Sequence, residues 1–294
     1  YSLTSASPTE FVWDRRDDWW GAETGFHELP VPLRLIFAIT GSEENKALLM
    51  SNNELDSMMS ITPGGFEAIR ARNPNAIAWF DDLPYAWADP CPRQLSLNTT
   101  VAPWDDPNMR KAISLIIDRN QIIDVAYEGT STPSSTMFVQ YGGMQPYIDA
   151  IVEAGMGISP EANTEEAFAL IEGAGYTRNA EGMWERDGQV LSMNIQGTND
   201  QVEYTRTIDV LVEQFRAAGI DATAQPLTAA TMDVNLNNGD FEAAYNWDSC
   251  GSVNEPWNSM NRFTNHFVVP VGQRSPGSNN YVRWDTEGTA AYTE

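Results

Sequence analysis

The chain has two histidines, two cysteines and two lysines among its 294 residues. His27 and His266 stand apart from each other and from any Cys pair, so no metal-ligand spacing exists and no metal site is expected. A lone histidine is ordinarily a structural or exposed side chain. With only Lys46 and Lys111, arginine carries nearly all the positive charge. That charge is outweighed: 41 acidic residues face 17 Lys and Arg, for a formal net charge of −24. Nucleic acid and anionic membrane surfaces demand clustered cations, which excludes nucleic acid as a partner. No apolar run reaches the roughly 18 residues of a membrane-spanning helix. The sequence also lacks a Gly-rich phosphate loop with Lys, GxGxxG, HExxH, CxxC and GxSxG, so no cofactor and no nucleophile elbow is expected. Acidic pairs do occur, at Asp17–Asp18, Asp81–Asp82 and Asp105–Asp106. Paired carboxylates are the machinery of glycoside hydrolysis, and a secreted glycosidase is the rival reading. An acid-rich chain produces such pairs by chance, however, and Asp106 is already placed as a helix cap.

Hydrophobic residues make up 42% and aromatics 11%, enough for a packed core. Residues 33–39 read as a buried strand because they are almost continuously apolar. Ser42 is placed to cap a helix through Met50, a second short helix runs from Pro63 to Arg72, and Ala76 to Phe80 reads as a strand. Asp106 and Pro107 open a helix with Met109, Ala112, Ile113 and Ile116 on one face, and Asp118 opens another that Gly129 ends. Residues 129–160 read as a long irregular excursion. A helix starting with Thr164 as its cap, hairpin turns at Glu181–Gly182 and Asp187–Gly188, and a strand over 190–196 follow. A helix over 201–218, a strand over 220–226, a short helix and a strand over 241–247 complete the alternation. This order implies a mixed or parallel sheet covered by helices.

Cys91 and Cys250 fall at the two places where chain character changes, just outside this α/β middle. A lobe's two connections are often neighbours in space. A disulfide there would close a loop of about 160 residues, contribute about 5 kcal/mol in the chain-entropy model, and place the protein in an oxidising compartment. Two buried free thiols are the alternative. Tyr1 to Ser5 contain neither a basic nor an apolar signal region. The absence of Met at the start and of a closing element at Ala291–Glu294 reads as a fragment.

The run Asn98 to Ile113 (NTTVAPWDDPNMRKAI), followed by Asp118-Arg119-x-x-Ile122-Ile123 and Gly129, resembles the signature of family 5 extracellular solute-binding proteins. Asp17 to Gly21 looks like their RNPDYWG element and Asn53 to Asp56 like GEID. Ala174-Gly175-Tyr176 with Gln214 to Ile220 looks like AGY and QLKKIGI, and Gly239 to Ala243 like GDYDA. The resemblance covers nearly the whole chain in family order.

It implies a periplasmic-binding-protein-like α/β fold of type II, with one complete lobe and part of the other. Residues 1–95 would belong to lobe I, 96–248 to lobe II, and 249–294 to the crossover back and more of lobe I. It implies an ABC-importer component that captures an oligopeptide or oligosaccharide between two lobes and delivers it to a membrane permease. Such a protein is not an enzyme, and it works in the periplasm or outside the cell. A peptide-binding chaperone or receptor module without an importer is a third reading. Oligopeptide-binding relatives carry cysteines matching Cys91 and Cys250 and join them in a disulfide. They also place an Asp two residues after the second Cys, where it pairs with the peptide's α-amino group. Here that position is Ser252, which supplies no anion, and Asp248 is the nearby substitute. Trp247, Asp248, Ser252 and Asn254 follow a strand at a crossover, where α/β sheets bind ligands. Trp247 offers a flat face for sugar stacking, as Trp87 and Trp257 would. Arg93 is a candidate for an anionic ligand group.

Overall fold

A computed structural model describes residues 1–247 and 251–286, the side chain of Ser278 apart. The chain begins with β1 (Ser2–Ala6) and β2 (Glu10–Asp14), passes a short α1 (Trp20–Glu23), and adds β3 (Arg34–Ala38) to form an antiparallel sheet ordered β1-β2-β3. The apolar run at 33–39 is therefore a strand, but not a buried one. Leu33, Ile36, Phe37 and Ile39 are each more than half exposed. Within the described residues β3 is an edge strand paired only with β2, and no layer covers it.

Two helices follow. In α2 (Glu43–Ser51) the Ser42 side chain accepts the Asn45 amide, and in α3 (Pro63–Arg72) Thr62 accepts that of Gly65. These caps satisfy amides that the first helical turn leaves without partners. Residues 76–80 form no strand: Ile77 and Trp79 project into solvent and no neighbouring strand meets them. Without a partner to accept its amides, β-propensity alone does not make a strand.

The α/β unit opens with β4 (Arg93–Leu97) and continues through α4 (Pro107–Ile116), α5 (Arg119–Ala126), α6 (Gln145–Glu153) and α7 (Thr164–Gly173). Asp106 and Asp118 cap α4 and α5 as their positions predict. Met109, Ala112, Ile113 and Ile116 of α4 are all buried. The cap of α7 is Asn163 rather than Thr164, one residue earlier, because the Asn side chain reaches the Glu166 amide. Helix α6 interrupts the stretch that reads as irregular. Pro146 at its start and the glycines on either side hide the Ile148–Ile151–Val152 spacing, and Ile148 packs with Phe138 and Met144.

A small antiparallel sheet, β5 (Thr177–Arg178), β6 (Trp184–Arg186) and β7 (Gln189–Val190), turns where predicted, with Asp187 and Gly188 at φ of 54° and 77°. Then come β8 (Ser192–Thr198), α8 (Val202–Ala217), β9 (Asp221–Leu227), α9 (Ala229–Asn238), β10 (Ala243–Trp247) and a short α10 (Trp257–Met260). The main sheet is ordered β4-β10-β8-β9. Strands β10, β8 and β9 run parallel, and β4 runs antiparallel to β10. Gly197 of β8 lets α8 approach: a Cβ there would stand 2.2 Å from Ile208 Cδ1.

The core gathers α4, α7, α8 and this sheet around Trp104, Trp184 and Phe215, each essentially inaccessible. Both indoles are satisfied. Trp104 donates to Glu242 and Trp184 to the Ala218 carbonyl. Asn98, fully buried just after β4, donates to the Gly239 and Phe241 carbonyls and accepts from the amide and hydroxyl of Thr100. The segment around Tyr281 and Val282 packs on Met232, Leu236 and Phe241, and the Thr99 amide donates to the Val282 carbonyl.

Asn98 thus ties the end of β4 to the start of β10. Asn98→Ala should cost about 2–4 kcal/mol in urea unfolding, because it strands buried carbonyls and an amide. Asp106→Ala, which loses only an exposed cap, should cost about 1 kcal/mol. Equal costs for the two would show that Asn98 does not organise this junction.

Candidate ligand site at the paired crossover strands

Strands β4 and β10, the first and last of the main sheet in chain order, are hydrogen-bonded neighbours. In their register Arg93 lies opposite Trp247 and Leu97 opposite Ala243. Inside the pair, the buried Ser96 hydroxyl donates to the Asn246 side-chain oxygen across 150 residues of sequence.

At the Arg93–Trp247 end the guanidinium of Arg93 sits over two rings, 5.6 Å from the centre of Trp247 and 5.7 Å from that of Tyr204. Tyr204, from the first turn of α8, meets Tyr245 of β10 edge to face at 5.1 Å. The Tyr245 and Tyr127 hydroxyls lie 2.7 Å apart in a hydrogen bond. Arg93 Nη1 donates to Asp89 Oδ2 at 3.0 Å and to the Cys91 carbonyl at 2.7 Å. Cation–π contacts of this kind are strongest where water is displaced, as it is at this partly buried site.

Arg93, Tyr127 and Tyr245 of this cluster line a cavity of about 460 Å³, whereas Trp247 and Tyr204 do not reach its wall. Its walls come from residues 88–97, from α4 and α5, from the loop 131–140, and from Thr207, Leu211 and Tyr245. They are mainly aliphatic, with hydroxyls of Ser114, Ser131, Thr132, Ser134 and Thr136. The ionisable groups among the described lining residues, tyrosines apart, are the guanidiniums of Arg93, Arg110 and Arg119 and one carboxylate at Asp89. No group of three or more His, Cys, Asp or Glu side chains is placed to hold a metal ion among the described residues.

The residues singled out from the sequence are only partly brought together. Arg93 and Trp247 touch, with half of Trp247 exposed. Ser252 is buried and accepts the Ser259 amide at 2.9 Å, so it holds the approach to α10. Asn254 is exposed beside Gly143, where a Cβ would come within 2.7 Å of the Asn254 Cα. Neither Ser252 nor Asn254 lines the cavity. Trp87 and Trp257 are exposed, and Trp87 meets Phe80 edge to face at 4.8 Å. Asp248 and Cys250 lie outside the described residues. No cysteine among the described residues is free. The sequence reading missed Tyr127, Tyr204 and Tyr245. Each lies at an unremarkable place in its own element, and only the folding of α5, α8 and β10 onto one another unites them.

The sequence model for bacterial extracellular solute-binding proteins, family 5, middle region, matches residues 1–268. The chain belongs to this family. The nickel-binding periplasmic protein of Escherichia coli is 23% identical over 218 residues, covering 72% of this family 5 chain and 37% of the relative. A mannohexaose-bound oligopeptide-binding protein of Thermotoga maritima superposes with a TM-score of 0.85 at 19% identity, covering 98% of the chain and 53% of the relative. The oligopeptide-binding protein AppA of Bacillus subtilis, in complex with a nonapeptide, gives a TM-score of 0.71 at 15% identity, covering 97% and 51%. The α/β, type II periplasmic-binding-protein fold read from the sequence is therefore the fold of this chain. The chain spans about half the length of these solved relatives and just over a third of the nickel-binding one.

Burial raises the pKa of Tyr127, Tyr204 and Tyr245 above the ordinary phenol value. A raised folded-state pKa contributes stability below the unfolded value, and that stability is lost as pH rises past it. Stability should therefore fall above about pH 10. An absorbance titration of the ten tyrosines should show late-ionising phenols that titrate normally in denaturant. A single normal transition in the folded protein would contradict this packing.

Proposed function

We propose that the chain is the central part of a solute-binding component of an ABC importer. It captures an oligopeptide or an oligosaccharide between two lobes and delivers it to a membrane permease, working in the periplasm or at the cell exterior. The observation that carries this reading is the pairing of the crossover strands, with Arg93 opposite Trp247 beside the cavity. Two adjacent strands joining two lobes form a hinge about which the lobes close, and the solute stabilises the closed state by touching both. Binding and release then require no bond to be made or broken.

In this proposal Arg93, Trp247 and Asp248 contact the solute, while Ser252 and Asn254, which stand off the cavity wall, shape the segment beside it. Trp247 supplies a stacking face and Arg93 a cation. The lobe boundaries stay at 95/96 and 248/249 with one refinement. The stretch around Tyr281–Arg283, which packs on α9, belongs with the 96–248 unit. Cys91 and Cys250 form a disulfide across the crossover. Support comes from the register, since Cys91 precedes Arg93 by two residues and Cys250 follows its partner Trp247 by three.

A thermal-shift screen of protein expressed from the whole gene tests this reading, with short peptides in one set and manno-, cello- and xylo-oligosaccharides in the other. A solute at about 100 times its dissociation constant should stabilise by about 2.7 kcal/mol. No shift with either set would count against solute capture. The disulfide should appear as a Cys91–Cys250 crosslinked peptide in a non-reduced digest. Alkylation of both thiols without reductant would refute it.

A further inference from the structure

The cavity runs against the charge of the molecule. Acidic residues outnumber basic ones 41 to 17 in the chain, whereas the described cavity wall carries Arg93, Arg110 and Arg119 against Asp89 alone. Arg110 donates only to the Trp104 and Asp105 carbonyls. Arg119 donates to the carbonyls of Ser114, Ile117 and Ser159 and to the Ser114 hydroxyl. Neither has a carboxylate partner among the described residues. Burial lowers the pKa of both, for Arg119 with no opposing anion and for Arg110 against a partial pull from the Asp106 and Asp105 carboxylates.

Arg93 adds a directional element. Its guanidinium lies over both the Trp247 and Tyr204 rings. Among the described residues its hydrogen bonds leave from Nη1, toward Asp89 and the Cys91 carbonyl. Its Nε is buried with no partner. The Nε–Nη2 edge, the side of arginine that grips a carboxylate through two parallel hydrogen bonds, is thereby left unengaged. The neighbouring Tyr204 hydroxyl is also buried without a partner.

We propose that the captured solute carries a carboxylate, and that the Nε–Nη2 edge of Arg93 receives it at the cavity wall with Arg110 and Arg119 as the surrounding positive field. This rests on the solute-capture reading and narrows it to one class of solute. Aliphatic walls from Leu95, Ile113, Ile122 and Ile123 take the body of the carboxylate-bearing unit. A volume of about 460 Å³ falls within the range of sites for single small ligands. Two sources offer this chemistry: the C-terminus of a peptide and the uronate of an acidic sugar.

The test is calorimetric titration of whole-gene protein with matched probes. The peptide arm is a mixture of tri- to pentapeptides with free C-termini against the same mixture amidated. The sugar arm is oligogalacturonides against their methyl esters, with mannohexaose as the neutral reference. One acid form should bind at least about tenfold more tightly than its neutral counterpart, as loss of a charge-assisted bidentate contact implies, and the arm that responds names the source. Arg93→Gln should abolish the acid-to-neutral ratio, and Arg93→Lys, which keeps the charge without the fork, should restore part of it. The ratio does not depend on the fraction of folded variant. Asp89→Asn, which removes the competing anion, should tighten the acid probe. If the neutral forms bind as well as the acids, the carboxylate inference is overturned and solute capture stands. If no probe binds at all, both are overturned.

Discussion

The antiparallel pairing of β4 with β10 is the constraint on which the rest of the structure depends. It sets the first and last strands of the main sheet side by side, although they lie about 150 residues apart in sequence. It also brings a cation from one strand onto an indole from the other. Backbone hydrogen bonds fix the register, and a one-residue slip would turn every side chain to the opposite face. Asn98 and Ser96 secure that register from within. Both are buried, and both bond to groups from the later part of the chain.

The same junction concentrates polar groups where the surroundings are apolar. Tyr127, Tyr245, Tyr204 and Arg93 lie against one another beside an aliphatic cavity, and not all of their polar atoms find partners. Unpaired buried donors cost stability. A fold that tolerates them beside a cavity holds in reserve hydrogen-bonding capacity that a ligand can use. Elsewhere in the unit many buried polar groups are satisfied internally, as with the two core indoles and the Glu242 carboxylate, although Asn237 Oδ1 and Arg283 Nε also lack partners among the described residues. Glu242 accepts both the Trp104 N–H and the Asn194 amide.

The two parts of the chain differ in how fully they are covered. The mixed sheet has helices packed against it and a continuous core. The sheet of β1, β2 and β3 has strongly apolar residues on its last strand, yet they are exposed within this chain. Composition alone reads such a strand as interior, because an apolar run records what a strand is suited to contact and not what is present to contact it.

By itself the sequence determined the local elements of the α/β unit. Side-chain caps and 3.6-residue periodicity act within a few residues, so Asp106 and Asp118 mark helix starts wherever the chain goes, as Ser42 does ahead of the unit. Asp187-Gly188 specifies its turn for the same reason. Where local signals mislead, a competing one explains it: Asn163 outreaches Thr164 as a cap, and glycines and Pro146 conceal α6. Arg93 and Trp247 were legible as separate candidates. Only the tertiary structure decided that they meet, that three tyrosines join them, and that Ser252 turns inward to hold the Ser259 amide. Those outcomes depend on which strand pairs with which across about 150 positions, and strand pairing is set by packing between distant segments rather than by any residue's own propensity.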